Sequence, residues 1–276
     1  MKCLKFKYLL FVFLLALMTT ARCGTAQAAQ AAQKELSVFA AASLTESMNK
    51  IAWIYKNIVP EVSIVYNFDS SGTLKTQIEQ GAECDLFISA AQKQMDQIDA
   101  KADPSINTGK LDFVAEGTRF DLVANKVVLI VPKGAVNKQI SGFDDIITDK
   151  VSLIALGNSD VPVGQYSQEI LTKLGLWEEL NKQKKISFGG SVKEVLAQVA
   201  AAAADCGLVY GTDAATSPEV VIAAEAPPGS HRAITYPAAV LRRANEPEAV
   251  KAFAEFLRGP EATAIFLENG FSIPER

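Results

Sequence analysis

The chain has 276 residues, of which 49% are hydrophobic and 21% charged, with a formal net charge of −4 and no long basic run. A nucleic-acid backbone needs clustered Lys and Arg to replace its counterions, so nucleic acid is excluded as a partner. With one histidine and no GxSxG elbow, a hydrolase would lack a nucleophile and base, and a paired-carboxylate site has no motif support.

Lys2, Lys5 and Lys7 precede an apolar run over residues 8–18 (YLLFVFLLALM), followed by small and polar residues ending in Ala26-Gln27-Ala28. The run is far shorter than the ~20 residues of a membrane span, so residues 1–28 read as a secretory signal peptide. The mature protein is therefore expected outside the cytoplasm, in the periplasm or at the outer face of the membrane. Cys23 raises the alternative of a lipid-modified cysteine, which the large cation Arg22 before it fits badly. The remaining stretch, about 245 residues, is enough for two modest cores with a cleft.

Residues 36–49 (LSVFAAASLTESMN) run from an apolar β-like segment through small residues and Ser43 into a helical pattern over 44–56. Residues 63–81 repeat this, with a strand over 62–68, then Asp69, Ser70 and Ser71, and a helix over 74–80. A helix start leaves its first backbone N–H groups unpaired, and a serine hydroxyl adds a donor, so two facing starts can enclose a small oxyanion. The capping alternative stands beside it, because Ser43 lies three residues before Glu46 in a capping-box spacing. Strands follow over 85–88, 127–131, 153–156 and 207–210, with helices over 92–101, 165–174 and 192–204. This alternation predicts an α/β architecture of largely parallel sheets, with ligands collecting at strand C-terminal ends.

Two later segments repeat the opening theme. Pro162 suits a first helical turn and leaves the amides of Val163 and Gly164 facing forward, while Gly189 and Gly190 precede Ser191, a capping-box partner for Glu194, with Val192 next in line. None of the four starts has Lys or Arg in its first loop residues, so a bound anion would be held by neutral dipoles. Tyr210 ends an apolar strand before Gly211, and reads equally as a core aromatic. His231 lies in a Pro/Gly-containing loop and reads as solvated. Cys84 and Cys206 have no CxxC spacing for zinc and border buried strands, so they read as two free, inert thiols.

The segments AAASLTESM (40–48), SSGTLKTQIEQGAECDLFISAAQKQMD (70–96), VPVGQY (161–166), LVYGTDA (208–214) and FLRGPEATAIFLENGF (256–271) resemble the periplasmic molybdate-binding proteins, the ModA component of molybdate ABC transporters. The resemblance implies the two-lobed type II periplasmic binding fold, with lobe one taking residues 34–123 and 234–276 and lobe two residues 124–233. It implies a non-enzymatic protein without cofactor that binds molybdate or tungstate and works as a monomer with a permease and its ATPase. Molybdenum would be held as its oxyanion, not through direct protein–metal bonds. Carried over by motif, the ligand contacts are the hydroxyls of Ser43, Ser71 and Tyr210 and the backbone amides of Val163 and Val192, with Ser70 the fallback for Ser71. A ring of donors alone suits a fully ionised oxyanion and rejects hydrogen phosphate, whose proton wants an acceptor. Asp69 disturbs that pattern unless its carboxylate points to solvent or caps the helix start at Ser71. The alternative is a binding protein for another oxyanion such as sulfate, or for a ferric complex, on the same fold.

Overall fold

The computed structural model describes residues 33–134 and 139–274, so the signal-peptide reading of residues 1–28 and Cys23 lies outside the described residues. The chain first lays down β1 (Lys34–Ala41), a 3-10 turn (Ala42–Leu44), α1 (Thr45–Ile58), β2 (Val62–Asp69), α2 (Ser71–Glu79), β3 (Leu86–Ile88), α3 (Gln92–Asp96) and β4 (Phe120–Asn125). It then builds β5 (Val127–Pro132), β6 (Ile154–Gly157), α4 (Pro162–Lys173), α5 (Trp177–Lys182), β7 (Ile186–Gly189), α6 (Val192–Ala200), β8 (Cys206–Tyr210), α7 (Gly211–Ala215) and β9 (Val220–Glu225). Finally β10 (Ile234–Val240), α8 (Pro247–Leu257) and α9 (Pro260–Glu268) return to the first set.

Two five-stranded sheets result, in the orders β2-β1-β3-β10-β4 and β7-β6-β8-β5-β9. Both are mixed, which corrects the expectation of largely parallel sheets. In each, three strands run parallel, joined by helical crossovers, and two antiparallel pairings complete the sheet. The antiparallel members come from the stretches that carry the chain between sheets, where no crossover helix intervenes. Together the two sheets and their helices form the type II periplasmic binding fold.

Burial explains the layers. β1 sends Leu36, Val38 and Ala40 to one face and Phe39 to the other, and all are buried, as a central strand covered on both sides requires. On one face α1 packs Met48, Ile51 and Tyr55, and the Tyr55 ring lies 4.9 Å from both Phe253 and Phe256 of α8. On the other, Leu74 and Ile78 of α2 and Met95 of α3 pack with Phe39. Cys84 and Cys206 are buried and are not joined in a disulfide.

Two helices are shorter than their apolar spacing predicts. The 92–101 pattern is helical only over Gln92–Asp96, because Asp99 turns its carboxylate to the Lys101 amide and, with Asp96, to Arg119. The 192–204 pattern ends at Ala200, after which Ala202 takes a left-handed φ of 53° and the Asp205 amide donates to Leu153 O, just ahead of β6. Both breaks serve contacts made far along the chain. No helix among the described residues is long and apolar enough to cross a membrane.

Candidate functional site

The parallel strands of both sheets end in register, and each end feeds a helix start. Ala41 pairs with Asp69 in the first sheet and Gly157 with Gly189 in the second, so Ser43 and Ser71 sit just past adjacent strand ends. Val163 and Val192 follow in the same way from β6 and β7.

On the first sheet, Ser43 is buried in the 3-10 turn, and its Oγ lies 2.9 Å from the Tyr236 hydroxyl. Neither that turn nor α1 has a side-chain cap, so the capping-box reading of Ser43 and Glu46 is corrected. Glu46 pairs instead with Lys193 of α6, at 2.9 and 3.0 Å. Ser70 and Ser71 have different work. Ser70 is the N-cap of α2 and accepts from the Thr73 amide at 3.2 Å. Ser71 is fully buried, and its Oγ accepts from the Ala90 amide at 2.9 Å, which leaves the hydroxyl proton for another partner. The Asp69 carboxylate accepts from the Ser70 amide at 2.6 Å and is half-buried, so it neither caps at Ser71 nor stands free in solvent.

The second sheet supplies backbone donors. Pro162 has no N–H, and the amides of Gly164 and Gln165 both turn to Val161 O, at 2.9 and 3.2 Å. Val163 is left as the first-turn amide facing forward of α4. That turn sits close on β6, since a Cβ on Gly157 would lie 2.9 Å from the Gly164 nitrogen. At α6, Ser191 Oγ accepts from the Glu194 amide at 3.3 Å and Glu194 accepts from Gly190 at 2.7 Å. The capping arrangement satisfies Glu194 and leaves the Val192 and Lys193 amides, ahead of it, without an intrahelical acceptor.

Tyr210 ends β8. Its side chain is 2% exposed, and its hydroxyl has no hydrogen-bond partner among the described residues. Its ring lies 5.9 Å from that of Tyr236, the ring that holds Ser43. Burial first, then neighbouring Tyr236, pushes the Tyr210 phenol well above its ordinary pKa, so it remains a donor. A buried donor with no partner is uncommon and costly, and an acceptor placed before it would remove that cost.

The two walls touch. A Cβ on Gly72 of α2 would lie 2.9 Å from both the carbonyl carbon and the Cβ of Asp160, and closer still to its carbonyl oxygen. Beside the Glu46–Lys193 pair, Lys193 Nζ also meets buried Asp213 of α7 at 3.2 Å. Burial lifts the Asp213 carboxyl to about 6, with Lys193 pulling against it. Burial also opposes the Lys193 charge, but Asp213 and Glu46 outweigh it and hold the ammonium above its ordinary pKa. The only cation in the first turn of these helices is thereby neutralised by two carboxylates, and what faces forward is a set of neutral donors. His231 donates from Nδ1 to the Arg232 carbonyl at 2.7 Å and packs on Tyr166.

The structure therefore brings Ser43 and Tyr210 together around Tyr236, Ser71 beside the loop that leads to Val163, and Val192 beside the Lys193 bridge to α1. Sequence reading missed Tyr236, Asn125, Lys193, Asp213 and the close approach at Gly72. No local motif carries any of them, because these partners lie 20 or more residues away in the chain.

The sequence matches the family described as bacterial extracellular solute-binding protein over residues 36–272. It is 40% identical over 252 residues to the molybdate-binding protein ModA of Escherichia coli (strain K12), covering 89% of this chain and 91% of that one. Among solved structures, the substrate-binding domain of a putative molybdenum ABC transporter from Clostridium difficile is 40% identical, with a TM-score of 0.64 over 87% of this chain and 99% of that one. The Azotobacter vinelandii periplasmic molybdate-binding protein is 27% identical, with a TM-score of 0.73 over 87% of this chain and 100% of that one.

Proposed function

Because the chain belongs to the bacterial extracellular solute-binding proteins, in their molybdate-binding ModA group, we propose that it captures molybdate, and tungstate with it, and delivers the anion to a membrane permease and its ATPase. As a substrate-binding protein it is not an enzyme and carries no cofactor. It acts outside the cytoplasm, as a monomer. Its anion contacts are the hydroxyls of Ser43, Ser71 and Tyr210 and the amides of Val163 and Val192. Lobe one comprises residues 34–123 and 234–276, lobe two residues 124–233, and the anion binds between them.

The observation that carries this reading is the buried Tyr210 hydroxyl without an acceptor, its ring 5.9 Å from that of Tyr236, the partner of Ser43. The helix starts offer donors, and the Lys193 ammonium is already paired with Glu46 and with the buried Asp213 carboxyl. A fully ionised tetrahedral oxyanion offers only acceptors, so such a site needs no proton from its ligand, and hydrogen phosphate is disfavoured. An anion that touches both walls stabilises the closed state by its differential affinity for it, and closure is what a permease would read.

Calorimetric titration of molybdate, tungstate, sulfate and phosphate against the mature protein tests the proposal. One site per chain, tight for molybdate and tungstate and far weaker for sulfate and phosphate, is expected. Sulfate binding comparable to molybdate would overturn it and support the sulfate alternative.

A further inference from the structure

We infer that Tyr236 is a positioning residue for the anion site, turning the Ser43 hydroxyl so that its proton faces the anion, and that Asn125 holds Tyr236 in that role. This rests on the reading of Ser43 as an anion contact. The Ser43 Oγ and the Tyr236 hydroxyl lie 2.9 Å apart, both buried, and distance alone lets either donate. Asn125 decides the direction. Its Oδ1 accepts from the Lys126 amide at 2.9 Å, which fixes the side-chain amide so that Nδ2 faces the other way. The two Nδ2 protons then go to Thr212 Oγ1 at 2.9 Å and to the Tyr236 hydroxyl oxygen at 3.2 Å.

A phenol has one proton. With its oxygen accepting from Asn125, Tyr236 spends that proton on Ser43 Oγ, and Ser43 spends its own on a third partner. Burial, the largest influence, keeps the phenol well above its ordinary pKa, so the proton stays on it. Without Tyr236 the Ser43 hydroxyl rotates freely, and in some rotamers it presents lone pairs to the site. Those lone pairs repel a dianion and accept the proton of hydrogen phosphate, so affinity and selectivity both fall.

The relay is anchored where the chain changes sheets. Asn125 is the last residue of β4 and pairs with Ile234, the first residue of β10, while Thr212 belongs to α7 on the second sheet. Separation of the walls that moves α7 away from Asn125 therefore disturbs the group that orients Ser43.

A double-mutant cycle in molybdate affinity, read by calorimetry on the mature protein, tests this with Ser43→Ala, Tyr236→Phe and the double variant. Tyr236→Phe is expected to weaken binding about three- to tenfold and to narrow the preference for molybdate over phosphate. In the Ser43→Ala background the same change is expected to cost no more than about twofold, because a residue acting through Ser43 has nothing left to orient. Asn125→Ala gives the same coupled loss and serves as the second probe should Tyr236→Phe fail the thermal-unfolding check. If Ser43→Ala binds molybdate as the wild type does, the site reading itself is wrong. If Ser43→Ala weakens binding while Tyr236→Phe does not, or the two losses add in full, the positioning role is refuted.

Discussion

Replacing Gly72 by alanine adds one methyl group at the point where the two walls meet. In the closed arrangement that methyl would sit 2.9 Å from the carbonyl carbon and Cβ of Asp160 and closer to its oxygen, and the obstructing atoms are mostly backbone. Ordinary carbon contacts need about 3.5–4.0 Å, so the walls must part by about 1 Å. A hydrogen bond of about 2.9 Å reaching across from the second sheet would then stretch to about 3.9 Å, which is no longer a hydrogen bond. Losing two such bonds to a charged acceptor, at about 1.5 kcal/mol each, weakens binding about a hundredfold. The separated arrangement has no such clash, and alanine in the first turn of α2 gains up to about 1 kcal/mol of helix propensity. Gly72→Ala is therefore expected to leave the ligand-free melting temperature unchanged or raised while molybdate affinity collapses. Calorimetry and thermal unfolding on one preparation read both, and affinity within about threefold of wild type would refute a site that requires closure at Gly72.

Ser71→Ala is expected to weaken molybdate binding about ten- to a hundredfold, whereas Ser70→Ala removes the α2 cap and costs about 1 kcal/mol of stability with little effect on affinity. The reverse ranking in titration would shift the contact to Ser70. Tyr210→Phe should reduce affinity about tenfold yet leave the ligand-free protein as stable or more so, since the hydroxyl it deletes is buried without a partner. Small-angle scattering should show wild-type protein becoming more compact with molybdate, and full affinity in Tyr210→Phe with no compaction would put the site within one lobe. Asp213 titrates at about 6 in the folded protein against an ordinary 3.8, so its contribution to stability is full at low pH and is lost as pH rises through 6. Chemical denaturation of Asp213→Asn across pH 4 to 7 should lack that decline, and an unchanged slope would mean that Asp213 stays ionised in the fold.

Local signals were legible in the chain itself. Pro162 at the head of α4 and Ser191 with Glu194 at α6 act within four residues of one another, so chain geometry alone decides them and the structure keeps both. The alternation of strands and helices, the buried thiols and the four helix starts belong to the same class. The directions of the last two strands in each sheet do not, because β10 and β5 join their sheets only after the chain has crossed over. Ser43 with Glu46 shows the limit most clearly. The spacing is that of a capping box, yet Glu46 gains more from the ammonium of Lys193, 147 residues on, and Ser43 from Tyr236, 193 residues on. Which hydroxyl donates, which charge is neutralised and where the walls touch are set by groups that meet only when two sheets close on each other. A hydrogen bond or an ion pair has energy only at contact distance, and sequence spacing carries no information about contacts that tertiary packing creates.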